Sequence, residues 1–147
     1  QKDAIDYVEF VDTRQILAGA GSILSIIDVE SGTAKRTLDL PNSIIARPSA
    51  GAFIFVPVGG QIVKIDKSNF TIIELLLTAD SARIRCLSAS ENRLFVSHED
   101  GSTVLDMSGA VEWKSANGGR ASFIKSSGQG AFFVGDSGEL SVFSVQH

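Results

Sequence analysis

Arg93-Leu94-Phe95-Val96-Ser97, followed past Gly101 by Thr103-Val104-Leu105-Asp106, reads as two short strands folded back on one another. Its central residues are aliphatic, aromatic or β-branched, and the first run stops at a glycine-bearing turn. The closing segment recurs as Ser25-Ile26-Ile27-Asp28, Val63-Lys64-Ile65-Asp66 and Ser141-Val142-Phe143-Ser144. Eleven residues before each closing residue stand Leu17, Phe55, Phe95 and Phe133; twelve before stand Ile16, Ile54, Leu94 and Phe132. Two apolar anchors held at fixed offset in four copies mark an internal repeat.

Working outward, each copy reads as four strands. Arg14 to Gly19, Ala52 to Val56 and Arg93 to Ser97 supply the second strand, and the Asp-ended segments the next. Turn formers follow at Glu30-Ser31-Gly32, Lys67-Ser68-Asn69 and Met107-Ser108-Gly109, because Gly accepts positive φ while Asn and Ser bond their own backbone. A further strand covers Lys35 to Leu40, Thr71 to Thr78 and Ala110 to Ser115. A weaker strand opens each copy, at Ala4 to Val11, Ser43 to Arg47, Arg83 to Ser88 and Ser122 to Lys125. No helix competes, since the apolar run Ile72 to Leu77 is short and β-branched at its start. Pro41, Pro48 and Pro57 sit where strands end or lie at an edge.

Four-stranded units repeating every ~40 residues describe propeller blades. One such sheet is apolar on both faces and hides them only between neighbours, which is why the second strands are apolar at successive positions. The expected fold is all-β and β-propeller-like, with about four blades of antiparallel four-stranded sheets, the last incomplete. It forms one domain over residues 1–147, or part of a propeller, with repeats near 4–42, 43–81, 82–120 and 121–147. The fourth copy has three strands, Ser122 to Lys125, Ala131 to Gly135 and Leu140 to Val145. Only Gln1, Lys2 and Asp3 precede the first strand, a reach of about 10 Å. The last blade is therefore expected to carry an open edge along Leu140, Val142, Phe143 and Val145, without Lys, Pro or Gly to protect it. Three explanations stand side by side: a longer propeller, strands supplied by a partner, or a four-bladed ring with one short blade. Two copies would give eight blades.

Composition narrows the function. The chain has 147 residues, 44% of them apolar, and a net charge of −4. That length suits one domain with a real core. The acidic balance argues against a nucleic-acid or anionic-membrane surface, which needs a basic stripe. No apolar run reaches the ~18 residues of a membrane span. Three acids fall within Gln1 to Phe10, unlike a signal peptide, and a single cysteine forbids an internal disulfide. Both features point to a cytoplasmic protein.

At family level, Val96-Ser97-His98-Glu99-Asp100-Gly101-Ser102-Thr103-Val104-Leu105-Asp106-Met107-Ser108-Gly109 resembles the second hairpin of a WD-repeat blade. Val134 to Val145 is similar. The signature Trp is replaced by Ile27, Ile65, Leu105 and Phe143, and no Gly-His pair opens a blade. The resemblance is thus to a divergent member and implies a propeller and a protein-binding role. Asp106, Gly109 and Trp113 also resemble a quinoprotein-type repeat with one residue deleted; Asp28 and Gly32 fit, with Arg36 in place of the Trp. One Trp cannot build that family's Trp girdle, so neither resemblance carries ligand residues over.

Several local motifs suggest chemistry. Gly135-Asp136-Ser137-Gly138 looks like a protease nucleophile loop, but a base and an oxyanion hole are also required, and the only histidines are His98 and His147. It reads as a hairpin turn. His98-Glu99-Asp100 could hold a metal only if adjacent residues met one ion, against the alternation of a strand; it reads as a solvated turn. Gly19-Ala20-Gly21 lacks the third glycine and helix of a dinucleotide loop. Cys86 reads as a small buried hydrophobe. Asn69-Phe70-Thr71 is a glycosylation sequon on a turn. Arg83 and Arg85 share one face of an opening strand and are candidates to face the channel or a partner, whereas Lys35, Arg36 and Glu74 are expected to face water.

Three functions remain in competition. The first is a non-catalytic protein-interaction module or scaffold, with no catalytic, metal or cofactor residues and a protein partner or second copy at the open final blade. The second is a structural part of a larger propeller completed by another chain. The third is a quinoprotein-type ligand-binding or enzyme fragment.

Overall fold

The computed structural model describes residues 4–59, 61–77, 83–116, 123–126, 131–136 and 139–144. It contains fifteen strands among these residues. They are β1 (Tyr7–Phe10), β2 (Gln15–Ala20), β3 (Ile23–Asp28), β4 (Ala34–Asp39), β5 (Ser49–Ala50), β6 (Ile54–Val58), β7 (Gln61–Ile65), β8 (Ile72–Leu77), β9 (Ile84–Ala89), β10 (Arg93–His98), β11 (Gly101–Asp106), β12 (Val111–Ser115), β13 (Phe123–Ser126), β14 (Ala131–Asp136) and β15 (Glu139–Ser144). Each sheet is an antiparallel meander in chain order: β1-β2-β3-β4, β5-β6-β7-β8, β9-β10-β11-β12 and the three-stranded β13-β14-β15. These are the four expected blades. The opening strands converge, with β1 against β5, β5 against β9 and β9 against β13.

The register is the same in every blade. Leu17 lies opposite Ile26, Phe55 opposite Lys64, Phe95 opposite Val104 and Phe133 opposite Val142. The twelve-residue anchors pair with the residue before the closing one: Ile16 with Ile27, Ile54 with Ile65, Leu94 with Leu105 and Phe132 with Phe143. A bulge also recurs at one place, after Ile26, Lys64 and Val104. It bends the outer strand where the chain enters the Asp turn.

Because strand side chains alternate, each blade has two apolar faces. Leu17, Leu24 and Ile26 form the leading face of blade 1 and pack with Ile54, Val56, Val63 and Ile65 on the trailing face of blade 2. Phe55 and Ile62 on the leading face of blade 2 pack in turn with Leu94, Val96 and Leu105 of blade 3. Leu17, Phe55 and Phe95 are fully buried, as the repeat predicts. Of the final blade the backbone alone is described at Phe133, Leu140, Val142 and Phe143, and Val145 lies outside the described residues. Ile65 and Leu105 are buried, but Ile27, expected to match them, is only half-buried. Among the described residues no earlier blade covers its trailing face.

The links between blades also repeat. The Ile44 amide donates to the Gly21 carbonyl and the Ile84 amide to the Gly59 carbonyl, so each new blade starts from the hairpin of the last. At Gly101 an added Cβ would collide with the Ser115 carbonyl, which makes glycine obligatory in that hairpin.

One opening strand is misplaced in the sequence reading. Ser43 to Arg47 is irregular, and the strand is the two-residue β5 beyond Pro48. Pro57 supplies the reason. Its carbonyl accepts from the Ile45 amide, yet proline has no N–H to return, so a ladder along 43–47 loses the reciprocal bond at that position.

Candidate functional site

Three polar features stand at defined positions of this repeat: the first recurs in blades 1 to 3, while Lys64 and His98 each depart from the pattern in a single blade.

The first is the Asp that ends the third strand. Asp28 Oδ1 accepts from the Ser31 amide at 2.8 Å. Asp66 Oδ1 accepts from the Ser68 amide at 2.8 Å and its hydroxyl at 2.6 Å, and from the Asn69 amide at 3.1 Å. Asp106 Oδ1 repeats this with Ser108 and adds the Ala110 amide at 2.9 Å. Charge-assisted acceptance lowers each carboxyl below its ordinary value of 3.8; the Ser31 amide leads at Asp28, and the Ser68 and Ser108 hydroxyls at Asp66 and Asp106. The fourth copy carries Ser144 at this position. These carboxylates are committed to closing turns.

The second is Lys64. It stands where blades 1 and 3 have Ile26 and Val104, and it is buried to 7% exposure. Its ammonium donates to Glu74 Oε1 at 3.0 Å and to the Met107 carbonyl of the next blade at 2.6 Å, and lies 4.3 Å from the Phe53 ring centroid. A cation at an apolar position is thus satisfied by three partners. Glu74, expected to face water, is instead drawn into this pair. In blade 3, Arg93 is likewise buried and donates from Nε to Glu112 Oε2 at 2.7 Å.

The third is His98. The sequence reading leaves it in a solvated turn, but it is the last residue of β10 and 1% exposed, with Nε2 2.9 Å from Thr103 Oγ1. His98 and Thr103 hold the positions of Val58 and Val63 in blade 2. The turn proper is Glu99-Asp100, both exposed. Inward placement of His98 separates it from these acids, and no cluster of metal-ligating side chains exists among the described residues.

Arg83 and Arg85 are both exposed, Arg85 on β9 among the converging opening strands. Lys35 and Arg36 are exposed on β4, and Arg36 Nη1 reaches the Ser68 carbonyl of blade 2 at 3.3 Å. Cys86 is half-buried, and burial pushes its thiol up to about 11. Asn69 is exposed, with Oδ1 accepting from the Thr71 hydroxyl at 2.6 Å. The Leu140–Phe143 part of the expected edge lies on β15, the outermost strand of the last sheet among the described residues. The Ser137 and Gly138 positions of the protease-like loop lie outside the described residues, as does His147. Lys64 and His98 escape sequence reasoning because nothing local marks them. The signal is available only by aligning the copies, where Lys64 breaks the aliphatic column of Ile26, Val104 and Val142, and His98 stands where the first two copies carry Ala20 and Val58.

No protein-family model matches the chain, and no curated protein matches it. Solved structures do. The Pan2 WD40 domain of Neurospora crassa aligns with a TM-score of 0.77 at 15% identity, over 96% of this chain and 49% of that one. The computationally designed protein Ika4 aligns with a TM-score of 0.81 at 14% identity, over 99% and 94%. The hydrazine synthase of Kuenenia stuttgartiensis aligns with a TM-score of 0.78 at 10% identity, over 96% and 46%. The chain thus spans about half the length of the Pan2 and hydrazine synthase chains and nearly all of the designed one. Similarity at this identity concerns the fold, and the fold is that of a divergent β-propeller, blade after blade.

Proposed function

We propose that the chain is a non-catalytic protein-interaction module or scaffold whose last blade takes a strand from a partner protein. The observation that carries this reading is the position of β15. Among the described residues it is the outer strand of a three-stranded sheet, where the other blades place a fourth strand beyond the Asp turn. Its sequence, Glu139-Leu140-Ser141-Val142-Phe143-Ser144, offers backbone donors and acceptors with no Lys or Pro to discourage pairing. Strand addition supplies affinity through the backbone and specificity through alternate side chains. The WD40 likeness supports an interaction role at the level of fold. Arg83 and Arg85, exposed near the axis, are the second contact in this reading.

The test uses the full chain as bait in affinity capture from extract, with retained proteins quantified by mass spectrometry. Val142→Pro removes a ladder donor. Ser144→Lys leaves the backbone intact and adds an edge charge. The exposed Lys35→Ala serves as control. The reading expects a protein retained by wild type and Lys35→Ala and lost with both edge variants. Equal retention by Ser144→Lys, or nothing retained above blank matrix, contradicts it.

A further inference from the structure

The outer strand of a blade leaves one edge of its backbone open, and charges on such a strand keep other strands away. β4 carries exposed Lys35, Arg36 and Asp39, and β12 carries exposed Glu112 and Lys114. β8, Ile72-Ile73-Glu74-Leu75-Leu76-Leu77, has Glu74 as its one charge. The ladder sets Glu74 opposite Lys64, and its carboxylate accepts from the buried ammonium at 3.0 Å. The only guard of this edge is thus drawn toward the interior. What β8 presents instead is Ile72, Ile73 and Leu75, at 39%, 46% and 46% exposure. The bulge at Ile73 bends only the start of the strand, and Glu74 to Leu77 pair with β7 residue by residue. Among the described residues no strand lies beyond β8.

We propose that β8 pairs antiparallel with β8 of a second copy, so that the second blades of two chains join edge to edge about a twofold axis. Charge chooses this occupant. The edge holds no outward charge to attract a partner of opposite sign, and a strand bearing charges would have to desolvate them against Ile73 and Leu75. A second β8 brings none to the contact. Directly opposed residues of an antiparallel pair lie on one face. A twofold through Leu75 therefore sets Leu75 against the other copy's Leu75, Ile73 against its Leu77, and Glu74 against its Leu76. Each carboxylate stays in its own ion pair with Lys64 instead of meeting its like. Such an isologous contact uses one patch twice and closes at two copies. A further blade of the ring does not compete for this edge, because blades stack by their faces, and both faces of blade 2 are already covered by blades 1 and 3. β8 and β15 belong to different sheets, so this contact stands or fails separately from strand addition at the last one.

The test is light scattering of the purified full chain over a hundredfold concentration range. The expected result is twice the 15.6 kDa chain mass at the upper end. Leu75→Lys puts a charge on the edge and is expected to return one chain mass. Val111→Lys puts the same charge at an equally exposed position of the outer strand β12 and is expected to leave the mass doubled. Amide hydrogen exchange of wild type needs no substitution: exchange within residues 73–77 is expected to slow at least threefold where the mass doubles. A single chain mass throughout, growth to masses beyond two chains, a dimer indifferent to Leu75→Lys or split equally by Val111→Lys, or unchanged exchange over 73–77 overturns the proposal.

Discussion

The Lys64 ammonium and the Met107 carbonyl belong to consecutive blades and meet at 2.6 Å. The contact locks the second blade onto the Asp106 turn of the third. It occurs in an interface otherwise made by Phe55, Ile62, Leu94 and Leu105. Removing the cation leaves the carbonyl and Glu74 without it, while Glu74 can rehydrate because its side chain is 41% exposed. Lys64→Ala is expected to cost about 2–3 kcal/mol in urea unfolding. Lys64→Met, which keeps most of the volume, is expected to cost about 1 kcal/mol less than Ala. Equal stability of Lys64→Ala and wild type would contradict the assignment.

Phe95 fills the anchor position on the leading face of blade 3 at 1% exposure. Phe95→Ala is expected to cost about 3–5 kcal/mol. A loss under ~1 kcal/mol, measured the same way, would put the alignment of the copies out of register.

Phe70 has φ of 54°, in the left-handed region that Gly32 and Gly109 occupy in the neighbouring blades at 67° and 89°. The ring is buried to 4% exposure between blades 1 and 2, and that burial offsets the backbone strain. Phe70→Ala keeps the strain and loses the ring, at about 3–5 kcal/mol. Phe70→Gly loses the same ring but relieves the backbone, and is expected to be more stable than Phe70→Ala by about 1 kcal/mol. The reverse order would show that the turn does not need a left-handed residue.

Asp28, Asp66 and Asp106 have carboxyls held below 3.8 in the folded chain by amide and hydroxyl donors. The unfolded state then binds more protons in that range, so stability from these turns is present above the unfolded value and lost as pH falls through the folded ones. Thermal midpoints are expected to hold steady above pH ~5 and fall below pH ~4. Replacing all three by Asn should flatten that acid limb. An unchanged limb in the triple variant would remove the turns as its cause.

Cys86 has a thiol pushed up to about 11, chiefly by burial. At pH 8 it stays protonated in the folded chain, and an aromatic disulfide reagent is expected to label it only on unfolding. Stoichiometric labelling within seconds under native conditions would contradict its placement on β9. Above pH 9 the unfolded thiol ionises first, so Cys86 makes a small contribution that falls as pH rises.

Architecture is legible in the sequence where chemistry repeats. The offset of Leu17, Phe55, Phe95 and Phe133 from their closing residues alone sets blade number, strand order and register, because a strand slip would turn every anchor to the other face. Ser43 to Arg47 is not legible, since its pairing depends on Pro57, a proline in the neighbouring strand that withholds a donor. Nor is His98: beside Glu99 and Asp100 it looks solvated, and only the length of β10 carries it inside. Lys64 and Glu74 lie ten residues apart, and nothing local joins them until the β7–β8 ladder sets them opposite each other. A charge on a strand takes its meaning from the cross-strand neighbour, which the local window does not contain.

The repeat itself is tested most directly by cross-strand NOEs in solution. The account predicts contacts between Leu17 and Ile26, Phe55 and Lys64, Phe95 and Val104, and Phe133 and Val142, one pair per blade at one register. Helical NOEs over more than two turns between residues 14 and 115, or a pairing shifted by one residue in any blade, would contradict it.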